Sequence, residues 1–434
     1  MSNQKIVLIG AGSLQFGIGS VGSIIHNEVL KGSKICLHDI HKKNLDLATQ
    51  ACQTAVEKEN LDYSIESTTI RGEALKGATF VINAIEIQPR FGLLRWDFEF
   101  PIMYGNKQIT GENGGPGGLF HSLRVIPPIL DICEDIQKIC PQAYLINYSN
   151  PMSRICLAIM RKFPKQKFVG LCHEIKMAED LLPKLLDTPL SNLEIRAGGL
   201  NHFGVILEAK YRDSGRDAYP DIREKAPARL DRLSKSLDVS LIKFILETYD
   251  YLPYTTDNHY GEYMSWAREI ADLPHGRDFW EGYEQYLAHT YKRYKRLINK
   301  GKGDKLVKPD GERAIPIIEG ILTDSHHEEL SVNLPNDGII TNLPSNLVVE
   351  CPAIVSSNGL QGIKLGDYPK GLAALLRTQA SVQDLVVEAI LQKSKKIALQ
   401  ALLADPVVNS ISQAEKILNS MLKLQEKYIQ IKLE

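Results

Sequence analysis

Short apolar runs alternate with longer amphipathic stretches through the first part of the chain. Residues 6–9 are apolar without interruption, which predicts a strand buried on both faces. Residues 35–37, 67–70, 80–84, 144–147 and 168–171 read as further strands. Between them, residues 44–59 and 120–139 carry apolar side chains at helical spacing. Strand–helix alternation predicts a parallel sheet wound by right-handed crossovers. The expected class is therefore α/β. Residues 1–190 are expected to form a Rossmann-type domain.

The pattern changes after residue 190. Residues 193–197 and 204–210 flank a Gly-Gly-Leu-Asn-His turn, as in a hairpin. A long polar and aromatic stretch follows, then strand-like pieces at 338–341 and 347–349. Residues 372–433 read as mostly helical. Residues 191–434 are thus expected to form a mixed α+β domain carrying substrate, metal and subunit contacts.

Composition narrows the function classes. The chain has 434 residues, with 51 Lys+Arg against 52 Asp+Glu, a net charge of -1. No global field draws it to nucleic acid or to an anionic membrane. The first residues run straight into a strand with no secretory signal pattern, and no apolar run is long enough to span a bilayer. The seven cysteines are scattered without a CxxC pair, which reads as reduced thiols. The expectation is a cytoplasmic protein with a small-molecule ligand.

That ligand has a first signature at the end of the opening strand. Gly10-Ala11-Gly12-Ser13 follows residues 6–9 and precedes a helix-like segment. Glycines there permit a tight turn and let backbone N–H groups approach a pyrophosphate. Asp39 ends the next strand, where a carboxylate can accept hydrogen bonds from an adenosine ribose, favouring NAD over NADP. The GxGxxG pattern wants glycine at position 15, where Gln15 stands; the next glycines are Gly17 and Gly19. An ordinary strand–helix turn is the alternative. Asn147, ending a later strand, falls near the nicotinamide in a dehydrogenase-like sheet.

Three short motifs carry chemistry: Asn147-Tyr-Ser-Asn150-Pro-Met152, Gly170-Leu-Cys172-His173-Glu174, and Gly198-Gly-Leu-Asn201-His202-Phe203. In open α/β sheets ligands bind beyond the carboxyl ends of the strands. A Cys172 thiolate with a His202 imidazole suits a borderline divalent metal, leaving positions open for substrate. Singly, Cys172 also reads as a core thiol, and His202 as a turn residue.

Together with Gly111-Glu-Asn-Gly-Gly-Pro-Gly-Gly118, Asp257-Asn-His-Tyr-Gly-Glu-Tyr263, Asn342-Leu-Pro344 and Leu402-Leu-Ala-Asp405-Pro406, these motifs run in order through nearly the whole chain. The chain resembles glycoside hydrolase family 4, the NAD- and metal-dependent glycosidases. The resemblance implies a redox-assisted elimination, unlike the two-carboxylate route of most glycosidases. Hydride leaves C3 of the sugar to NAD, a base removes the C2 proton, the C1 group departs, water adds, and the hydride returns. It implies Cys172 and His202 as ligands of Mn2+ or another divalent metal, and Asn150 as a sugar contact. His173 would assist the leaving group. Asp257 or Tyr260 would be the C2 base, with Tyr263 behind them. The alternative reading of 257–263 is a helix start capped by Asp257.

Members with Cys-His at this site resemble those acting on free α-galactosides, α-glucosides and α-uronides. Glu174 leans to the α-galacturonidase branch, whereas Gly111-Glu112-Asn113 departs from the usual Gly-Asp-Thr. A uronate would want an arginine; Arg90, Arg95, Arg154 and Arg268 are the candidates, with Arg90 favoured. A 6-phospho-glycosidase, a net 2-hydroxy-acid dehydrogenase and a nucleotide sensor that has lost the chemistry are the competing readings. The resemblance implies a homodimer or homotetramer.

Overall fold

The computed structural model describes residues 4–13, 17–235, 237–271 and 273–434, with the backbone alone over 273–280. The uninterrupted apolar run becomes the parallel strand β1 (Lys5–Ile9), whose last four residues are all buried. Side-chain alternation divides it between two cores: Ile6 and Leu8 enter one, Val7 and Ile9 the other. Each such fully buried aliphatic side chain contributes about 1.5–3 kcal/mol of transfer free energy.

Five more strands follow: β2 (Lys34–His38), β3 (Ser64–Thr68), β4 (Phe80–Asn83), β5 (Tyr144–Asn147) and β6 (Phe168–Gly170). All six are parallel, in the order β3-β2-β1-β4-β5-β6. That is the dinucleotide-binding order of the Rossmann fold, the class expected from the alternating pattern. The edge strand β3 begins earlier than residues 67–70, because it pairs residue for residue with β2 from Ser64.

The strands beyond residue 190 lie in the same sheet. The hairpin forms as β7 (Leu193–Leu200) and β8 (Phe203–Tyr211). Then come β9 (Glu328–Pro335), β10 (Val348–Ser356) and β11 (Gly359–Gly362). β9 joins antiparallel to β6, β10 to β9, and β7 to β10. Residues 338–341 are a turn instead of a strand. The Asn336 side chain closes it, accepting from Ile340 N at 2.9 Å and donating to Ile340 O at 3.0 Å. The polar and aromatic stretch contains a long helix, Leu273–Asn299.

The helical C-terminus comprises Lys370–Leu391, Lys395–Ala404 and Ile411–Leu424. These pack with the central helix Gly115–Ile139 in one core, so the C-terminal half closes the outer face of the first sheet. Among the described residues, no helix is long and apolar enough to cross a membrane.

Candidate active site

The carboxyl ends of β1, β4, β5 and β6 open on a cleft of about 1210 Å3. Its first wall is the glycine turn. Gly10 has φ +88°, and a Cβ on it would lie 2.7 Å from Ala84 O. Only glycine fits that backbone and that approach. Gly12 N donates to Asp39 Oδ2 at 2.8 Å, and His41 N donates to Asp39 Oδ1 at 2.8 Å. Asp39 thus ties two strand–helix turns together while keeping partial exposure at the rim. Gly10, Gly12, Ser13 and Asp39 all line the cleft. Position 15 lies outside the described residues. Gly17 supplies close helix–strand packing, since a Cβ on it would sit 2.3 Å from Ala11 O.

Asn147 occupies a different place from the one its position suggested. It is fully buried and lies behind the cleft wall. Its Oδ1 accepts from Asn83 at 2.8 Å and its Nδ2 donates to Ser149 O at 3.0 Å. Both ends of the amide thus brace β4 and β5.

The sulfur and the imidazole converge. Cys172 Sγ and His202 Nε2 are 3.1 Å apart. His202 sits in the two-residue turn between β7 and β8 with φ +60°, a conformation unfavourable for a residue with a Cβ. The turn is anchored from below: Asn201 Nδ2 donates to Glu350 Oε2 at 2.6 Å, and Ser331 and Asn333 hold the same buried carboxylate. On the other side of the ring, Asn113 Nδ2 lies 3.1 Å from His202 Nδ1. The loop bearing Asn113 is fixed by Glu262, which accepts from the N–H groups of Asn113 and Gly114 at 2.6 Å.

Burial dominates the electrostatics here. It pushes the Cys172 thiol well above its ordinary range, with Glu350 and Glu174 adding to the effect. A thiolate at this point therefore requires a cation beside it. Burial, aided by His259, holds His202 down to about 3, so the ring is neutral and offers a lone pair. Burial would raise the Glu174 carboxyl, but His259, His202 and a bond from Thr255 bring it down to about 2. Burial also opposes a charge on His259, yet Glu174, Glu112 and Glu262 outweigh it and raise its pKa. Ligand atoms of Glu174, His202 and His259 lie within 4.8 Å of one another. A soft thiolate, a neutral imidazole and adjacent carboxylates fit a borderline divalent ion.

Asn150, Arg90 and His173 also line the cleft. Arg90 stands over the rings of Phe91 and Tyr283, at 5.5 and 5.8 Å. The other arginines are engaged elsewhere. Arg95 pairs with Glu284, Arg268 donates to Asn106 O, and Arg154 is buried against Ser122. Asp257 and Tyr260 do not reach the cleft. The Asp257 carboxylate accepts from Leu241 N at 2.8 Å and Ile242 N at 3.0 Å, capping the helix Ser240–Tyr249. Tyr260 is fully buried with its ring 4.8 Å from that of Phe203. Tyr263 packs on the same ring and donates to Asn201 O.

The short helical turn Asp257–Tyr260 instead presents His259, whose ring centroid is 4.2 Å from that of His202. Sequence reasoning gave no chemical role to His259 or Glu262, and used Glu174 and Glu112 only to weigh the branch. Their place in the Gly111–Gly118 and Asp257–Tyr263 motifs was the available signal.

Comparison with known proteins agrees with this geometry. The family model described as "Family 4 glycosyl hydrolase" matches residues 5–188, and the model of that family's C-terminal domain matches residues 197–408. An alpha-glucosidase of Erwinia rhapontici is 44% identical over 98% of both chains. An alpha-galactosidase of Bacillus subtilis is 31% identical over 93% of both. Among solved structures, a 6-phospho-alpha-glucosidase from gut microorganisms, crystallised in complex with NAD and Mn2+, superimposes with a TM-score of 0.86 over the whole of both chains at 22% identity. Two consecutive family models spanning most of the chain, over a Rossmann sheet with Cys172 facing His202, place this protein in glycosyl hydrolase family 4.

Proposed function

We propose that the protein hydrolyses non-phosphorylated α-glycosides, α-glucosides first, with NAD and a divalent metal, Mn2+ in particular, as cofactors. The single observation that carries this reading is the 3.1 Å convergence of Cys172 Sγ and His202 Nε2 at the strand ends. The α-glucosidase at 44% identity supports the choice of sugar over the galacturonide suggested by Glu174. When bound, NAD supplies a hydride acceptor and the metal a Lewis acid that makes the C2 proton of an oxidised sugar acidic.

The chain's own residues do the rest. Gly10, Gly12 and Ser13 receive the dinucleotide pyrophosphate, and Asp39 the adenosine ribose. Asn150 and Arg90 orient the sugar, with Arg90 kept in place by its aromatic neighbours. Proton transfer falls to groups that face the cleft. Glu112 can accept a proton, while His259, kept protonated by the Glu174 carboxylate, and the exposed His173 can deliver one to the departing group. Asp257 and Tyr260 are not among the residues that line the cleft, and so take no part in this assignment. Besides Arg90, the cations among the described cleft residues are Arg71, paired with Asp135, and Lys427. No cationic cluster faces Cys172 in that set, which favours a free sugar over a 6-phosphate.

The test is a panel of nitrophenyl α-glucoside, α-galactoside, α-galacturonide and the 6-phospho-glycosides, with NAD, Mn2+ and reductant present. The α-glucoside should turn over without accumulation of NADH. Chelation should abolish this and Mn2+ restore it. Cys172→Ser should lose at least about 100-fold in turnover while NAD affinity stays unchanged. Full hydrolysis in chelator without NAD rejects the reading, and turnover confined to 6-phosphates corrects the substrate.

A further inference from the structure

His202 has two ring nitrogens and two neighbours. Nε2 faces Cys172 Sγ, and Nδ1 faces the Asn113 side-chain amide, both at 3.1 Å. A neutral imidazole carries one N–H, so a ring that offers its Nε2 lone pair must hold its proton on Nδ1, and that proton needs an acceptor. Among the described residues Asn113 is the one hydrogen-bond partner of Nδ1. Its side chain is 5% exposed. Its backbone N–H is pinned by Glu262, which fixes the loop that carries the side chain. Its Oδ1 is buried without any hydrogen-bond partner.

An orphaned buried carbonyl costs about 1–3 kcal/mol. The two ends of an amide have the same shape, and half a turn about Cβ–Cγ exchanges them without moving anything else. After that exchange the oxygen faces Nδ1 and the NH2 group takes the unpartnered place, so what the exchange adds is an acceptor for the ring N–H. We propose that Asn113 accepts the Nδ1–H of His202 through its side-chain oxygen. This holds the ring in the tautomer whose Nε2 binds the divalent ion. Asn113 is then a positioning residue that acts through His202. This rests on the metal-dependent reading above and adds to it the group that makes His202 a competent ligand.

The measurement is Mn2+ affinity of the full-length protein with NAD and no sugar, read from the electron paramagnetic resonance signal of free Mn2+. Asn113→Leu keeps the shape and removes the acceptor; it should weaken Mn2+ binding about 10–100-fold. Asn113→Asp offers only acceptors and should bind at least as tightly as the native protein. NAD affinity should be the same in all three, which a general structural defect would not allow. Should Asn113→Leu fail to fold, 15N spectra of the native protein loaded with diamagnetic Zn2+ decide the matter: His202 should be protonated on Nδ1. Equal loss in both variants, no loss in Asn113→Leu, or a Zn2+-loaded His202 without a proton on Nδ1 overturns the assignment. Failure of the native protein to bind Mn2+ at all would overturn this and the metal-dependent reading together, whereas hydrolysis results alone bear only on the latter.

Discussion

Glu86 and His121 form an ion pair that a residue-by-residue view of the cleft wall has to explain. His121 is fully buried; its Nε2 is 3.0 Å from Glu86 Oε2 and its Nδ1 is 2.8 Å from Glu112 O. With an acceptor at each nitrogen, the ring is set up to carry both protons. Burial opposes that charge, but Glu86 outweighs it and raises the ring's pKa. Burial would likewise raise Glu86, and the His121 charge brings it down to about 2. The raised histidine contributes stability that is complete below its ordinary 6.5 and fades as pH rises through the raised value. The depressed glutamate contributes stability that is complete above its ordinary 4.5 and fades as pH falls toward about 2. The pair therefore stabilises most between those two limits. Replacing Glu86 by Gln should cost about 3–5 kcal/mol in urea unfolding near pH 5.5, and clearly less near pH 9. A penalty independent of pH would show that the pair is not ionised.

At the scale of elements, the segment around Asp257 shows how a site residue and a structural residue exchange places within three positions. The helix Ser240–Tyr249 begins with no cap of its own, and Asp257 reaches back to supply one. Burial raises that carboxyl to about 6 even though two N–H groups hold it. Asp257→Ala should cost about 0.5–2 kcal/mol of stability and less than 10-fold in turnover. His259→Gln should lose about 100-fold or more in turnover with little change in stability. The reverse outcome, in thermal unfolding and nitrophenyl-glycoside assays run side by side, would return Asp257 to the chemistry. The capping role was legible in the sequence as an alternative, but the helix it caps lies upstream, which local pattern cannot reveal. β1, β4 and β5 were legible because strands buried on both faces are uninterrupted apolar runs. β9 was not, since Glu329 is buried through its pairing with Arg313 and His327, and Asn333 through its bond to Glu350. The pairing of Cys172 with His202 was legible through the ordered motifs, since singly each also read as a core thiol or a turn residue. Glu174, His259 and Glu112 gain their role from contacts that no spacing encodes.

For the whole molecule, the central question is what keeps the C-terminal helices on the sheet that carries the cleft. Part of the answer is a buried node. Arg124, in the helix Gly115–Ile139, binds Asp97 of the helix Arg90–Met103 through both guanidinium arms, and neither side chain is more than 1% exposed. Gln425, just past the helix Ile411–Leu424, donates to Asp97 Oδ1 at 2.8 Å and accepts from Arg124. Lys427, Tyr428 and Gln430 follow at once and line the cleft, so the node couples the chain's last segment to the cofactor wall. Two desolvated charges break even only as a pair, and either one left alone is heavily destabilising. Asp97→Ala and Arg124→Met should each cost about 3–5 kcal/mol, and each should also weaken NAD binding as the 427–430 segment loosens. The double variant should cost no more than the worse single one, because it strands no charge and puts an apolar chain in an apolar core. Additive penalties in urea unfolding would instead mean that the two side chains stabilise separately and that the node does not act as a unit.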